Sequence, residues 1–171
     1  MTSIINSNVH DAEELAKVGR QSFIESHGHS ASEEDITAYV NSKFTFSAFE
    51  VELKNPNYIY HHILYNGQMI GYSKIVLNCE SENIALENIT KLERLYLLQE
   101  FHSLKLGHAL LECNIQLAKR NQQKGMWIYV WKENTKAYHF YLKSGFQIIG
   151  EYDFKISENH SNPNYQMLLE F

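Results

Sequence analysis

Two periods alternate along this chain. Apolar residues first recur at helical spacing through Leu15, Val18, Phe23 and Ile24, with Asn8 or Asp11 as the N-terminal cap and Gly28 as the stop. Ser32 and the acids Glu33, Glu34 and Asp35 open a second helix carrying Ile36, Tyr39 and Val40. A third helix is expected over 47–53, ending before Asn55-Pro56. Ahead of these, Met1 to Ile5 suits a short first strand. The period then drops to that of a strand. Residues 58–65 are aromatic and β-branched, Asn66-Gly67 is a hairpin turn, and residues 69–77 form the returning strand. Residues 78–88 are polar and read as a loop.

The centre of the pattern lies at residues 92–111. Leu92 to Leu98 is an apolar run of strand length, Gln99 to Ser103 interrupts it, and Leu106, Leu110, Leu111, Ile115 and Ala118 return to helical spacing. Gly107 sits just inside that helix, where Gly costs about 1 kcal/mol relative to Ala. A close approach to the backbone would justify it, and the amides of a helix's first turn are suited to an anion. Residues 126–131 form a buried strand, 134–144 a helix closed by Gly145, and 146–152 and 166–170 two last strands. The polar segment His160 to Asn164 is expected to join these two strands. This order predicts an α/β (mixed α+β) fold: a twisted mixed sheet of about six to seven strands with helices on both faces.

At 171 residues the chain is expected to form a single domain, 1–171, with no linker or repeat to divide it. A net charge of −5 argues against a nucleic-acid partner. No apolar run reaches membrane-spanning length, and the N-terminus lacks the features of a signal peptide. Cys79 and Cys113, two lone thiols, suggest a reducing cytoplasm. The histidines show no metal-ligand spacing, so no metal is expected. A monomer or homodimer is expected.

Two motifs carry chemistry. His102-Ser103-Leu104-Lys105-Leu106-Gly107 follows a strand and opens a helix, and resembles the [Q/R]-x-x-G-x-[G/A] coenzyme A diphosphate loop of the GCN5-related N-acetyltransferases (GNAT). His102 replaces the usual Gln or Arg, and Lys105 the usual Gly. Asn134 to Phe146 is similar to the same family's N-x-x-A-x-x-[FL]-Y-x-x-x-G-F, without departure at the fixed positions. The N-terminal residues Phe23, Glu25, Ser26 and His27, with Phe49, Glu52, Leu53 and Pro56, resemble the PaiA-like spermidine/spermine branch.

The resemblance implies acetyl transfer from acetyl-CoA to a small amine, polyamines first, by direct attack in a ternary complex. It implies a parted pair of parallel strands that admits the pantetheine arm. It assigns cofactor binding to Leu95, Tyr96 and Leu97, to residues 102–108 (His102, Ser103, Leu104, Lys105, Leu106, Gly107 and His108), and to Asn134 and Ala137. Tyr141 has a phenol able to protonate a leaving thiolate; its other reading is an ordinary core tyrosine. Glu93 is the candidate base, or else a structural acid paired with Arg94 or another cation. Strict alternation would put Glu93 on the face of Leu95 and Leu97, opposite Arg94 and Tyr96. Glu25 and His27 are candidates for the amine site, although His27 also suits a helix end. Acetylation of a protein or peptide amine, and a CoA-sensing regulatory module, are the alternative functions.

Overall fold

The computed structural model describes residues 1–171. Seven strands form one sheet in the order β1-β2-β3-β4-β5-β7-β6. They are β1 (Thr2–Asn6), β2 (Tyr58–Tyr65), β3 (Gln68–Val76), β4 (Ile89–Leu97), β5 (Gly125–Trp131), β6 (Gln147–Lys155) and β7 (Ser161–Glu170). The helices are α1 (Ala12–His27), α2 (Glu33–Lys43), α3 (Phe46–Leu53), α4 (Leu106–Arg120) and α5 (Thr135–Lys143). A short 3-10 turn, Gln99–Leu104, links β4 to α4.

Local chemistry sets most of these boundaries. Ser32 and Thr45 cap α2 and α3 through their hydroxyls, and Asn134 caps α5 by accepting from the Ala137 amide at 3.2 Å. Asn66 and Gly67 both take positive φ, 50° and 84°, which the twist of the β2–β3 hairpin requires. Helices α1, α2 and α3 cover one face, where Leu15, Val40, Phe49, Tyr60 and Tyr72 are buried. Helices α4 and α5 cover the other, over Leu92, Leu111, Met126, Val130 and Phe146. The antiparallel and parallel pairings, with helices on both faces, are the expected mixed architecture.

One expectation is corrected. The segment His160 to Asn164 is mostly strand, because β7 begins at Ser161 and pairs with β6 back to Lys155. Its polarity serves buried hydrogen bonds: Asn162 is 2% exposed and its Nδ2 donates to Ser30 Oγ at 2.8 Å. Pro163 is tolerated because its carbonyl accepts from the Lys132 amide, so its missing N–H faces the place where β5 has already ended.

Candidate active site

The only parallel pair in the sheet is β4–β5, joined by α4 as crossover. It is paired only at Ile89–Gly125, Thr90–Met126 and Lys91–Trp127. Beyond these rungs β4 runs on to Leu97 and β5 to Trp131 without pairing, so the strands part. The Leu98 amide donates to Ile70 O of β3 at 2.8 Å. Main-chain groups alternate in direction along a strand, so Leu95 and Leu97 turn theirs away from β3, into the parting. A cleft of about 630 Å³ passes through this window, with residues of both faces in its wall.

On the α4–α5 side the cleft is lined by Gly107, His108, Asn134, Ala137, Phe140 and Tyr141. Lys105 is in the left-handed region at φ 58°, the conformation a glycine would supply, and ends the 3-10 turn so that α4 can start at Leu106. His102 Nε2 is 2.8 Å from the Leu97 carbonyl and closes the turn back onto the end of β4. A Cβ at Gly107 would meet only the Phe140 ring, at 3.7 and 3.8 Å, so packing in the folded chain does not require glycine there. Tyr141 is 4% exposed, and its hydroxyl has no protein partner while the residue lines the cleft. Burial pushes the phenol up from its ordinary value, so it holds a proton rather than accepting one.

On the α1–α2 side the wall is aromatic, with Phe23, Tyr39, Phe44, Tyr96, Trp131 and Phe154 around His27. The His27 ring stacks on Phe23 at 4.9 Å and on Trp131 at 5.5 Å. Burial, helped by His29, lowers its imidazole from 6.5 to about 4, so the ring is neutral at pH 7. Glu25 also lines the cleft, but both its oxygens are engaged: Oε1 accepts from Gln21 Nε2 at 2.9 Å and Oε2 from the Gln99 amide at 2.8 Å. It clips α1 to the turn that follows β4.

The face assigned to Glu93 is corrected. The β3–β4 register pairs Lys74 with Arg94 and Ile75 with Leu92, leaving Glu93 as the extra residue of a bulge. The bulge turns Glu93 to the side of Arg94, where its Oε1 lies 2.8 Å from Lys74 Nζ. Lys74 is 2% exposed and also meets Glu52 Oε2 at 2.7 Å. Arg94 Nη2 donates to Glu52 Oε1 at 3.3 Å, and the Tyr60 hydroxyl donates to Glu52 Oε2. Two cations thus balance two carboxylates. Burial opposes the charge on Glu52, but Arg94 and Lys74 hold its carboxyl below the usual range. Glu93 keeps its second oxygen without a protein partner and lines the cleft, so the pairing and the cleft position coexist.

Of the residues singled out in sequence, Glu25, His27, Glu93, Leu95, Tyr96, Leu97, His102, Lys105, Gly107, His108, Asn134, Ala137 and Tyr141 meet around this one cleft. Ser103 and Leu104 are exposed in the 3-10 turn, and Leu106 is buried against Leu97 and Leu110, all three outside the cleft wall. The aromatic lining from Tyr39, Phe44, Trp131 and Phe154 went unremarked, as did Lys74 behind Glu93. The signal for Lys74 was a lone cation in the otherwise apolar end of β3. Both cysteines are free, no helix is long and apolar enough to cross a membrane, and no cluster of three His, Cys, Asp or Glu is arranged to hold a metal.

The model of the acetyltransferase (GNAT) family matches residues 19–146. An uncharacterized N-acetyltransferase from Mycobacterium bovis is 26% identical over 160 residues, covering 94% of this chain and 97% of that protein. A spermidine N(1)-acetyltransferase from Thermoplasma acidophilum is 25% identical over 148 residues, 82% of this chain and 85% of that protein. Among solved structures, the PaiA N-acetyltransferase from Thermoplasma acidophilum in complex with coenzyme A superposes with a TM-score of 0.80 at 22% identity. It covers 100% of this chain and 99% of that one, a likeness of fold.

Proposed function

This chain belongs to the acetyltransferase (GNAT) family, and on that premise we propose that it transfers the acetyl group of acetyl-CoA to the nitrogen of a small amine, polyamines such as spermidine first. The observation that carries the reading is the parting of β4 from β5 beyond Lys91, opening a cleft of about 630 Å³ that joins the two faces of the sheet. The residues present fit the co-substrate. The first turn of α4, with Gly107 open to the cleft, offers main-chain amides for the diphosphate. The unpaired edge of β4 at Leu95 and Leu97 offers main-chain donors to the pantetheine arm and the acyl oxygen. Asn134 Nδ2, with no protein partner, adds one more. Acetyl-CoA supplies the acetyl group already activated as a thioester.

Within that frame Tyr141 holds a proton for the departing sulfur, consistent with its buried, unpartnered hydroxyl. A primary amine is largely protonated at neutral pH and must shed a proton to attack. The free oxygen of Glu93, directly or through water, is the base we assign, with Lys74 fixing the carboxylate from behind. Support for a polyamine acceptor comes from the spermidine-acetylating relative, and ring faces on the α1–α2 side suit an alkylammonium chain. The two free thiols suit a reducing compartment such as the cytoplasm.

The test is release of CoA thiol from acetyl-CoA with spermidine, spermine, a monoamine, a peptide pool or no acceptor. Acetyl transfer to a polyamine well above the no-acceptor rate is expected. Preference for the peptide pool would move the acceptor class to protein amines, and absence of CoA binding by calorimetry would remove the enzyme reading altogether.

A further inference from the structure

Ser26 fixes the proton of its neighbour. Its Oγ lies 2.8 Å from the Ser22 carbonyl, 3.2 Å from the Phe23 carbonyl and 2.7 Å from His27 Nδ1. The hydroxyl has one proton, and Oγ cannot lie 2.8 Å from a carbonyl oxygen unless that proton stands between them. Oγ therefore accepts from His27, and Nδ1 carries the ring hydrogen. The neutral imidazole then presents a bare lone pair at Nε2; the ring's one hydrogen bond within the protein is the one at Nδ1, and the residue lines the cleft.

The direction in which that lone pair is available matters. His27 is the last residue of α1 and stacks between Phe23 and Trp131, the second standing at the end of β5. It packs edge-on against Tyr96 of β4 at 6.3 Å. The ring therefore bridges the two strands where they have parted, on the face opposite Tyr141, and lines the same cleft. Glu25, the carboxylate two residues earlier in α1, has both oxygens engaged. With its imidazole lowered to about 4, His27 is a weak base but a good hydrogen-bond acceptor at neutral pH.

We infer that His27 orients the acceptor: its Nε2 accepts an N–H of a primary amine and turns the amine's own lone pair toward the window between β4 and β5. The inference rests on the acetyl-transfer reading of the cleft and adds to it the group that aims the nucleophile. The ligand class is a primary amine: once the base has taken the ammonium proton, the neutral amine has two N–H bonds, one held by His27 and one given up after nitrogen has bonded to the acetyl carbon. Tertiary amines are excluded as acceptors, and secondary amines are poorly served.

The experiment combines ring-nitrogen NMR on the full 15N-histidine-labelled chain with kinetics. With CoA present, Nε2 of His27 should resonate as an unprotonated nitrogen and Nδ1 as a protonated one. The Nε2 resonance should shift saturably on titration with spermidine, putrescine or tyramine. His27→Phe keeps the stacked ring and removes the lone pair, so the acceptor KM should rise about tenfold, the worth of one hydrogen bond, with acetyl-CoA affinity within about twofold. His27→Gln, whose amide oxygen accepts, should recover part of that loss. A protonated Nε2, a resonance indifferent to all three amines, or an unchanged acceptor KM in His27→Phe overturns the inference whatever the turnover. Loss of CoA binding in the unmodified chain strikes instead at the acetyl-transfer reading.

Discussion

Two helical glycines, Gly19 in α1 and Gly107 in α4, invite the same substitution and should respond in opposite ways. At Gly19 an added Cβ would stand 2.8 Å from Phe44 Cδ1, 3.0 Å from Tyr72 Oη and 3.1 Å from Phe49 Cζ. These are inflexible rings in a packed core, so Gly19→Ala should destabilise by about 1–3 kcal/mol. At Gly107 the nearest atoms are Phe140 ring carbons at ordinary van der Waals distance. Gly107→Ala should therefore stabilise, by up to about 1 kcal/mol from helix propensity, or roughly 2–4 °C in Tm for a chain of this size. The same methyl intrudes on the space where the diphosphate would meet main-chain amides. Loss of one charge-assisted hydrogen bond, about 1.5–3 kcal/mol, corresponds to a ten- to hundredfold weaker CoA affinity. The assay is thermal unfolding paired with calorimetry against CoA and against pantetheine, which lacks the diphosphate. Gly107→Ala should melt higher, bind CoA more weakly and bind pantetheine as before. A CoA affinity unchanged in the alanine variant, or an equal loss for pantetheine, refutes the placement of the diphosphate at α4.

Tyr141→Phe should lower kcat at least tenfold with CoA affinity retained; full activity in stopped thiol-release assays would end its role as proton donor. Lys74→Met leaves Glu93 without a protein partner and Glu52 with Arg94 and Tyr60 alone, and should cost about 1–3 kcal/mol, read by urea denaturation at pH 7. Stability should also fall with acid in a way that His27 accounts for. The folded imidazole sits below its unfolded value, so the unfolded chain binds the extra proton as pH drops from 6.5 to about 4. Up to about 3 kcal/mol present at pH 7 is lost across that window. His61 and His62 are also lowered by burial, so the measurement is the difference between the unmodified chain and His27→Phe, whose pH dependence should be shallower.

The sequence was most informative where local chemistry alone decides the structure. The β2–β3 hairpin needs only an Asn-Gly turn between alternating residues, and Asn134 to Phe146 combines a cap, a helix and a positive-φ glycine, Gly145 at 95°. The parted strands were reached through family resemblance, since no periodicity reports where a ladder stops. Glu93 was misplaced because alternation presumes an unbroken pleat, and a bulge is a register event decided by both strands. The length of β7 was missed because Asn162 looks like a loop residue until Ser30 is present to accept from its buried amide. Lys74 was passed over for the same reason: its two partners lie 22 positions behind and 19 ahead in the chain (74 − 52 and 93 − 74). The aromatic wall is contributed by α1, α2, β4, β5 and β6, and no single stretch of sequence displays it.

A sheet with an aperture separates two evolutionary problems. On the proposed function, the groups assigned to the donor lie mainly after residue 95 and much of the wall assigned to the recipient before residue 50, with the opening as their shared border. Substitution can therefore retune the choice of recipient while the grip on the donor stays in place. By the same topology, one molecule threaded through the gap and tethered at both ends would engage both chambers at once, its second attachment gaining from effective concentration rather than from any new contact.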